Sequence, residues 1–276
     1  MKWSSGGRSG DIEDRRAGGV SRTAMIGGGG GIIGLVVALI VGLSGGEMPA
    51  GFGQAPAAQQ TEFKATPEEE KLVDFVSWVL DDIQKTWTGE FQKRGRTYQR
   101  AKLVLFRDQV DSACGRQGAA VGPFYCPGDQ KAYIDLSFYA LLQKRFGAPG
   151  DFAQAYVIAH EIGHHIQNLV GTSDKVARLQ SRDPSSANAY SVKLELQADC
   201  LAGVWAHHTA TRGSLEPGDI EEGLRAASAI GDDALQKGAG QAVRPESFTH
   251  GSSADRVKWF TRGYQSGREE DCETGL

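Results

Sequence analysis

Cysteine is sparse in this chain of 276 residues: Cys114, Cys126, Cys200 and Cys272 are the only four. No two of them have C-x-x-C spacing, so nothing supports a cysteine-built metal site, and the chain is too long to be a small disulfide scaffold. Neither sign of charge dominates. With 30 Lys and Arg against 34 Asp and Glu the formal charge is -4, and no basic run is interleaved with aromatics, which excludes nucleic acid as a partner. Internal repeats are lacking too. The near-average hydrophobic content allows one good-sized core with accessory segments.

Long hydrophobic runs are also scarce. Residues 24–43 form one charge-free stretch of about bilayer-spanning length, strongly apolar over 32–43 and weakened by glycines at 27–31, whose G-x-x-x-G spacings suit helix pairing. Lys2, Arg8, Arg15, Arg16 and Arg22 precede it and no comparable cluster follows, so the positive-inside rule predicts a signal anchor. A cleaved signal peptide is the rival reading, but the only A-x-A match, Ala55-Pro56-Ala57, lies well beyond the apolar run. The expected layout is a disordered cytoplasmic tail at 1–22, a transmembrane segment at 23–44, a linker at 45–65 and a folded domain at 66–276. That domain would then be periplasmic or extracellular, held at the cytoplasmic membrane. Its four cysteines would meet an oxidising compartment; of three possible pairings, Cys114 with Cys126 and Cys200 with Cys272 is favoured.

Within the domain, Thr66-Pro67-Glu68-Glu69 combines a capping box with proline at the first helical position. Leu72, Phe75, Val76, Val79, Leu80, Ile83 and Trp87 then mark one helical face. Residues 101–107 and 131–136 read as strands, the first central and the second able to edge a cleft where an extended peptide adds. Helices are expected at 138–146, 152–170, 187–210, 220–230 and 253–264. Residues 171–186 are polar and read as a loop, and 231–243 as a connector or a mobile loop over a site. The fold class predicted is α+β: a mostly helical domain with a small β-sheet, preceded by one transmembrane helix.

What is present is chemistry at the centre of the helix expected at 152–170. His160-Glu161-Ile162-Gly163-His164 sets two imidazoles one turn apart on one face, able to share a zinc ion, with Glu161 beside them as a base. Asp151 and Gln154 make a capping-box pattern at the helix start. A catalytic zinc needs a third protein ligand. The pattern H-E-x-x-H-x-x-G-x-x-H fails, because Gln167 and Val170 stand where glycine and histidine would be. Glu195 is the better donor, with Asp199 one turn on to orient a ligating histidine. His207 and His208 are alternative donors that more plausibly end a helix, and His165 points away from the metal face.

These residues, with Ala155 to Ala159, His165-Ile166-Gln167, Gly122-Pro123-Phe124-Tyr125-Cys126-Pro127 and Thr249-His250-Gly251-Ser252-Ser253, resemble the bacterial YpfJ-like neutral zinc metallopeptidases. The resemblance implies a zincin-type peptidase with one zinc ion and a peptide or protein substrate. Membrane-bound gluzincins have a similar E-x-x-x-D pattern and a late T-H-P segment, which suggests by analogy that His250 stabilises the oxyanion. The resulting expectation is a membrane-anchored zinc metallopeptidase with Glu161 as general base. The alternatives are a non-catalytic zinc-binding envelope protein and a zinc hydrolase acting on a non-peptide amide.

Overall fold

The computed structural model describes residues 1–17, 64–144 and 147–276. Helix α1, Pro67–Lys93, begins as the capping box requires: Glu69 N–H donates to the Thr66 hydroxyl at 3.3 Å and Thr66 N–H to the Glu69 carboxylate at 3.0 Å. Its Val76, Leu80, Ile83 and Trp87 enter the main core. Strands β1 (Ile12–Asp14), β2 (Lys102–Phe106), β5 (Phe124–Cys126) and β6 (Lys131–Asp135) form one sheet in the order β1-β2-β6-β5. The first three in that order run parallel, while β5 is antiparallel to β6 and forms the edge. A hairpin of β3 (Gln109–Ser112) and β4 (Gly115–Gly118) lies beside it.

Period-two alternation divides β2 and β6 between two cores. Leu103, Leu105, Ala132 and Ile134 face the helices, whereas Val104, Phe106 and Tyr133 join Phe124 and the hairpin's Val110. Both faces are covered, which explains why β2 reads as an unbroken apolar run. Helix α2 (Ser137–Lys144) leads towards α3 (Asp151–Val170), and α4 (Thr172–Arg182), α5 (Ala187–Thr211), α6 (Asp219–Ala229), α7 (Asp232–Gly238) and α8 (Ser253–Ser266) complete the helical layer. The favoured disulfides are both formed: Cys114–Cys126 ties the hairpin to β5, and Cys200–Cys272 ties α5 to the carboxy-terminal segment.

Several expectations need correction. The fold is mostly helical α+β, but among the described residues no helix is long and apolar enough to cross a membrane. The run at 24–43 lies outside the described residues. The amino-terminal segment argues against a single-pass anchor with its flanks on opposite sides. Residues 12–14 pair with 103–105, and Trp3 packs edge-on against Phe75 at 5.3 Å, so both flanks of that run belong to one body. Nor are the first 17 residues a disordered tail. Arg16 pairs with Asp14 at 2.7 Å and Glu70 at 2.9 Å, and Arg100 with Asp11 at 2.5 Å; charge that read as solvated is matched across the fold.

Residues 172–182 are helix rather than loop, because the buried Val176 gives an otherwise polar segment enough of an apolar face to dock. The stretch read as a connector contains α7. Strand β6 is interior, so the sheet edge on that side is β5. The expected Asp151–Gln154 capping box is absent. Asp151 instead accepts from the Met1 ammonium at 2.8 and 2.9 Å, and Glu222 of α6 accepts the Phe152 N–H at 3.2 Å, a cap supplied by another helix.

Candidate metal centre

Helix α3 is buried on nearly every side, and His160 and His164 lie one turn apart on it with ring centroids 4.8 Å from each other. Helix α5 meets it where Gly163 faces Ala198: a Cβ on Gly163 would stand 3.0 Å from the Ala198 carbonyl oxygen. Glycine inside the motif thus permits backbone contact. One turn before Ala198, Glu195 is brought against both imidazoles, with Oε2 3.1 Å from His160 Nε2 and Oε1 3.4 Å from His164 Nε2. One donor atom from each of the three lies within 4.8 Å of the others.

The remaining ring nitrogens are occupied. His160 Nδ1 is 2.9 Å from Asp199 Oδ1, and His164 Nδ1 is 2.8 Å from Gln167 Oε1. These oxygens only accept, so each Nδ1 carries a hydrogen, and each Nε2 can bind a cation once it is free of a proton. Two imidazole nitrogens and a carboxylate converging at one point suit zinc and leave room for a fourth ligand. Gln167 also donates to Leu194 O at 2.6 Å, anchoring α3 to α5. Replacing Gln167 with Leu removes the acceptor for His164. Zinc affinity, measured by competition with a chelating dye, is expected to fall about 10- to 100-fold; unchanged affinity would refute this role.

Asp199 is fully buried against the guanidinium of Arg256. Arg256 of α8 donates to it through Nε at 2.8 Å and a second nitrogen at 2.9 Å, and the Tyr156 hydroxyl donates at 2.5 Å. Burial pushes the Asp199 carboxyl up, but Arg256 and His160 outweigh it and hold the group below the usual carboxylate range. Burial likewise raises Glu195, yet the adjacent His164 and the hydrogen bond from His160 keep it well below normal. His160 shows the converse: burial disfavours its charged form, but Asp199 and Glu195 raise its pKa to about 10. Among the described residues Glu161 has no ion-pair partner of its own; burial pushes its carboxyl up and the two histidines pull it back in part.

The centre opens on a cleft of about 360 Å3 that Glu161, His250 and Arg256 also line. His250 sits on a turn held by Asp232, whose Oδ2 accepts the N–H groups of Thr249, His250 and Gly251 at 2.8, 2.7 and 3.0 Å. The other candidates lie elsewhere. His207 Nδ1 donates to Tyr264 O at 2.8 Å, and His208 faces Glu90 at 3.2 Å. His165 is fully buried; its Nε2–H donates to Gln99 O at 2.7 Å, so Nδ1 accepts from Tyr125 of the edge strand at 3.0 Å. Asp151, Asp219 and Glu222 also cluster, but the Met1 ammonium lies 2.8 Å from Asp151 and 3.3 Å from Asp219, so that group already holds a cation.

Sequence reasoning missed Tyr156, Gln167 and Arg256. Tyr156 lies four residues before His160, and Gln167 three after His164, so both could have been found from helical spacing. Arg256 could not, because its place depends on how α8 packs on α5.

Two histidines a turn apart, a glutamate beside them and a carboxylate from a later helix define a metalloprotein of the H-E-x-x-H class. The chain belongs to the family described as "Putative neutral zinc metallopeptidase", whose model matches residues 1–275. It is 45% identical to the uncharacterized protein YpfJ of Escherichia coli K12 over 99% of this chain and 98% of that protein. It is also 45% identical to the uncharacterized protein Rv2575 of Mycobacterium tuberculosis, over 64% of this chain and 63% of that one. No solved structure matches it. Membership supports zinc as the metal and a peptide or protein as the substrate.

Proposed function

We propose that this chain hydrolyses peptide bonds at a single zinc site formed by His160, His164 and Glu195, with Glu161 as general base. The observation that carries this reading is the convergence of both Nε2 atoms on Glu195 beside a carboxylate that has no ion-pair partner among the described residues, at the wall of a cleft. Held by His160, His164 and Glu195, zinc would supply Lewis-acid chemistry, acidifying water and polarising a carbonyl. Glu161 takes the proton of the attacking water and passes it to the leaving amine. His250 donates to the carbonyl oxygen as it gains charge, its turn fixed by Asp232. Asp199 and Gln167 hold the two ligating rings in register, and Arg256 offsets the charge on Asp199. Two disulfides, with no free cysteine among the described residues, favour work in an oxidising compartment.

The test is metal analysis of the purified chain together with hydrolysis of a denatured protein. Zinc near one equivalent is expected, with new amino termini that cease to form after chelation and reappear when zinc is restored. A full complement of zinc without new termini would sink the reading and favour a zinc-binding interaction protein.

A further inference from the structure

Away from the metal ligands, the walls of the cleft are mostly apolar, with Ser173, Gln180, Ser191 and Thr249 as uncharged polar members. Phe124 comes from the sheet edge, Phe138 and Leu141 from α2, Val157 from α3, Val176 from α4 and Leu235 from α7. No Lys or Asp lines it among the described residues, and Arg256, its one guanidinium, is committed to Asp199. Glu195 is engaged by the two histidines, and Glu161 adjoins them. Leu141 is 44% exposed, one of two large apolar side chains left open among the described residues, and it lies on this wall. Strand β5 adds a second constraint, since no strand pairs with its outer edge among the described residues and its main chain can receive an extended peptide.

We infer that the site receives interior segments of an extended polypeptide bearing uncharged, apolar side chains on both sides of the scissile bond, so that cleavage is endoproteolytic. The inference rests on the peptidase reading above. A charged side chain entering these walls gives up its water without gaining an opposite charge that is not already engaged. Chain ends fail for the same reason: an α-carboxylate finds no spare cation, and an α-ammonium finds no carboxylate that the chemistry does not use.

The experiment uses internally quenched peptides with acetylated and amidated ends, varied one residue at a time beside the cleaved bond. They are given to the zinc-loaded full chain for turnover and to its zinc-loaded Glu161→Gln variant for binding by fluorescence anisotropy. Blocked Leu or Phe peptides are expected to be cut internally, with Asp or Lys at those positions lowering kcat/KM and affinity by about a hundredfold. Leu141→Lys, exposed and so compatible with folding, should regain at least about tenfold for the Asp peptide. Cleavage without apolar preference, or stepwise release of residues from free ends, overturns the inference and leaves the peptidase reading standing. Apolar-selective binding without any cleavage keeps the substrate class and sinks the peptidase reading. Neither binding nor cleavage overturns both.

Discussion

Replacing Glu161 with Gln should lower peptide turnover by roughly 10³-fold while leaving zinc content unchanged. Glutamine keeps the volume and the polar contacts of the side chain but cannot take a proton. The residue adjoins His160 in sequence, yet the 100° turn per residue sets it off the ligand face, so its loss should leave His160, His164 and Glu195 in place. Glu195→Gln should behave differently, losing zinc because the carboxylate between the two imidazoles is gone. Single-turnover rates and metal content measured on both variants separate the roles. A Glu161→Gln enzyme that kept more than about a tenth of its rate would place the base elsewhere.

The second large effect is on stability. Helices α5 and α8 share the most extensive contact in the fold, made possible by Gly203 and Gly263. A Cβ on Gly263 would stand 1.9 Å from the Cys200 carbonyl oxygen, and one on Gly203 would stand 2.1 Å from the Phe260 carbonyl oxygen. Both obstacles are main-chain atoms, which cannot rotate away as a side chain would. Gly263→Ala must therefore push the helices apart, at a cost of about 3 kcal/mol or more. That corresponds to a fall in Tm of roughly 10 °C for a domain of this size. The same displacement would draw Arg256 from Asp199, so zinc affinity should fall as well. Gly89→Ala is the control: it lies within α1 with nothing within 4 Å of the added atom, and should be neutral or slightly stabilising. Thermal unfolding of both variants settles the matter; a Gly263→Ala Tm within about 2 °C of the parent would contradict the close approach.

The parts of this molecule legible in its sequence were those governed by local periodicity and capping. Thr66 to Glu69 announced α1, and the apolar spacing of 152–170 announced α3, because each depends on neighbours within a turn or two. The candidate site could be read equally far: the motif singled out His160, Glu161 and His164, and E-x-x-x-D spacing pointed to Glu195 and Asp199, which the fold brings against His160. Long-range pairing could not be read in this way. Ile12 to Asp14 carry two acids in three residues and look like solvated tail, yet Arg15 and Lys131 reach Glu13, and Arg8 and Arg16 reach Asp14. A short strand at the edge of a sheet needs little apolar character of its own, so its composition gives no warning. The same holds for Glu222, an ordinary surface acid by sequence that caps α3 from another helix.

The placement of β1 also bears on how the chain is made. Ile12 to Asp14 are synthesised about ninety residues before Leu103 to Leu105, the segment with which they pair. During synthesis the amino-terminal strand must wait unpaired, and the sheet closes only through a contact of high sequence separation, the kind that slows folding. Until it closes, β2 presents an apolar run with one open edge to other nascent chains. The early arginines and acids of residues 8–16 then serve as gatekeepers, keeping the waiting strand soluble before they lock it in place.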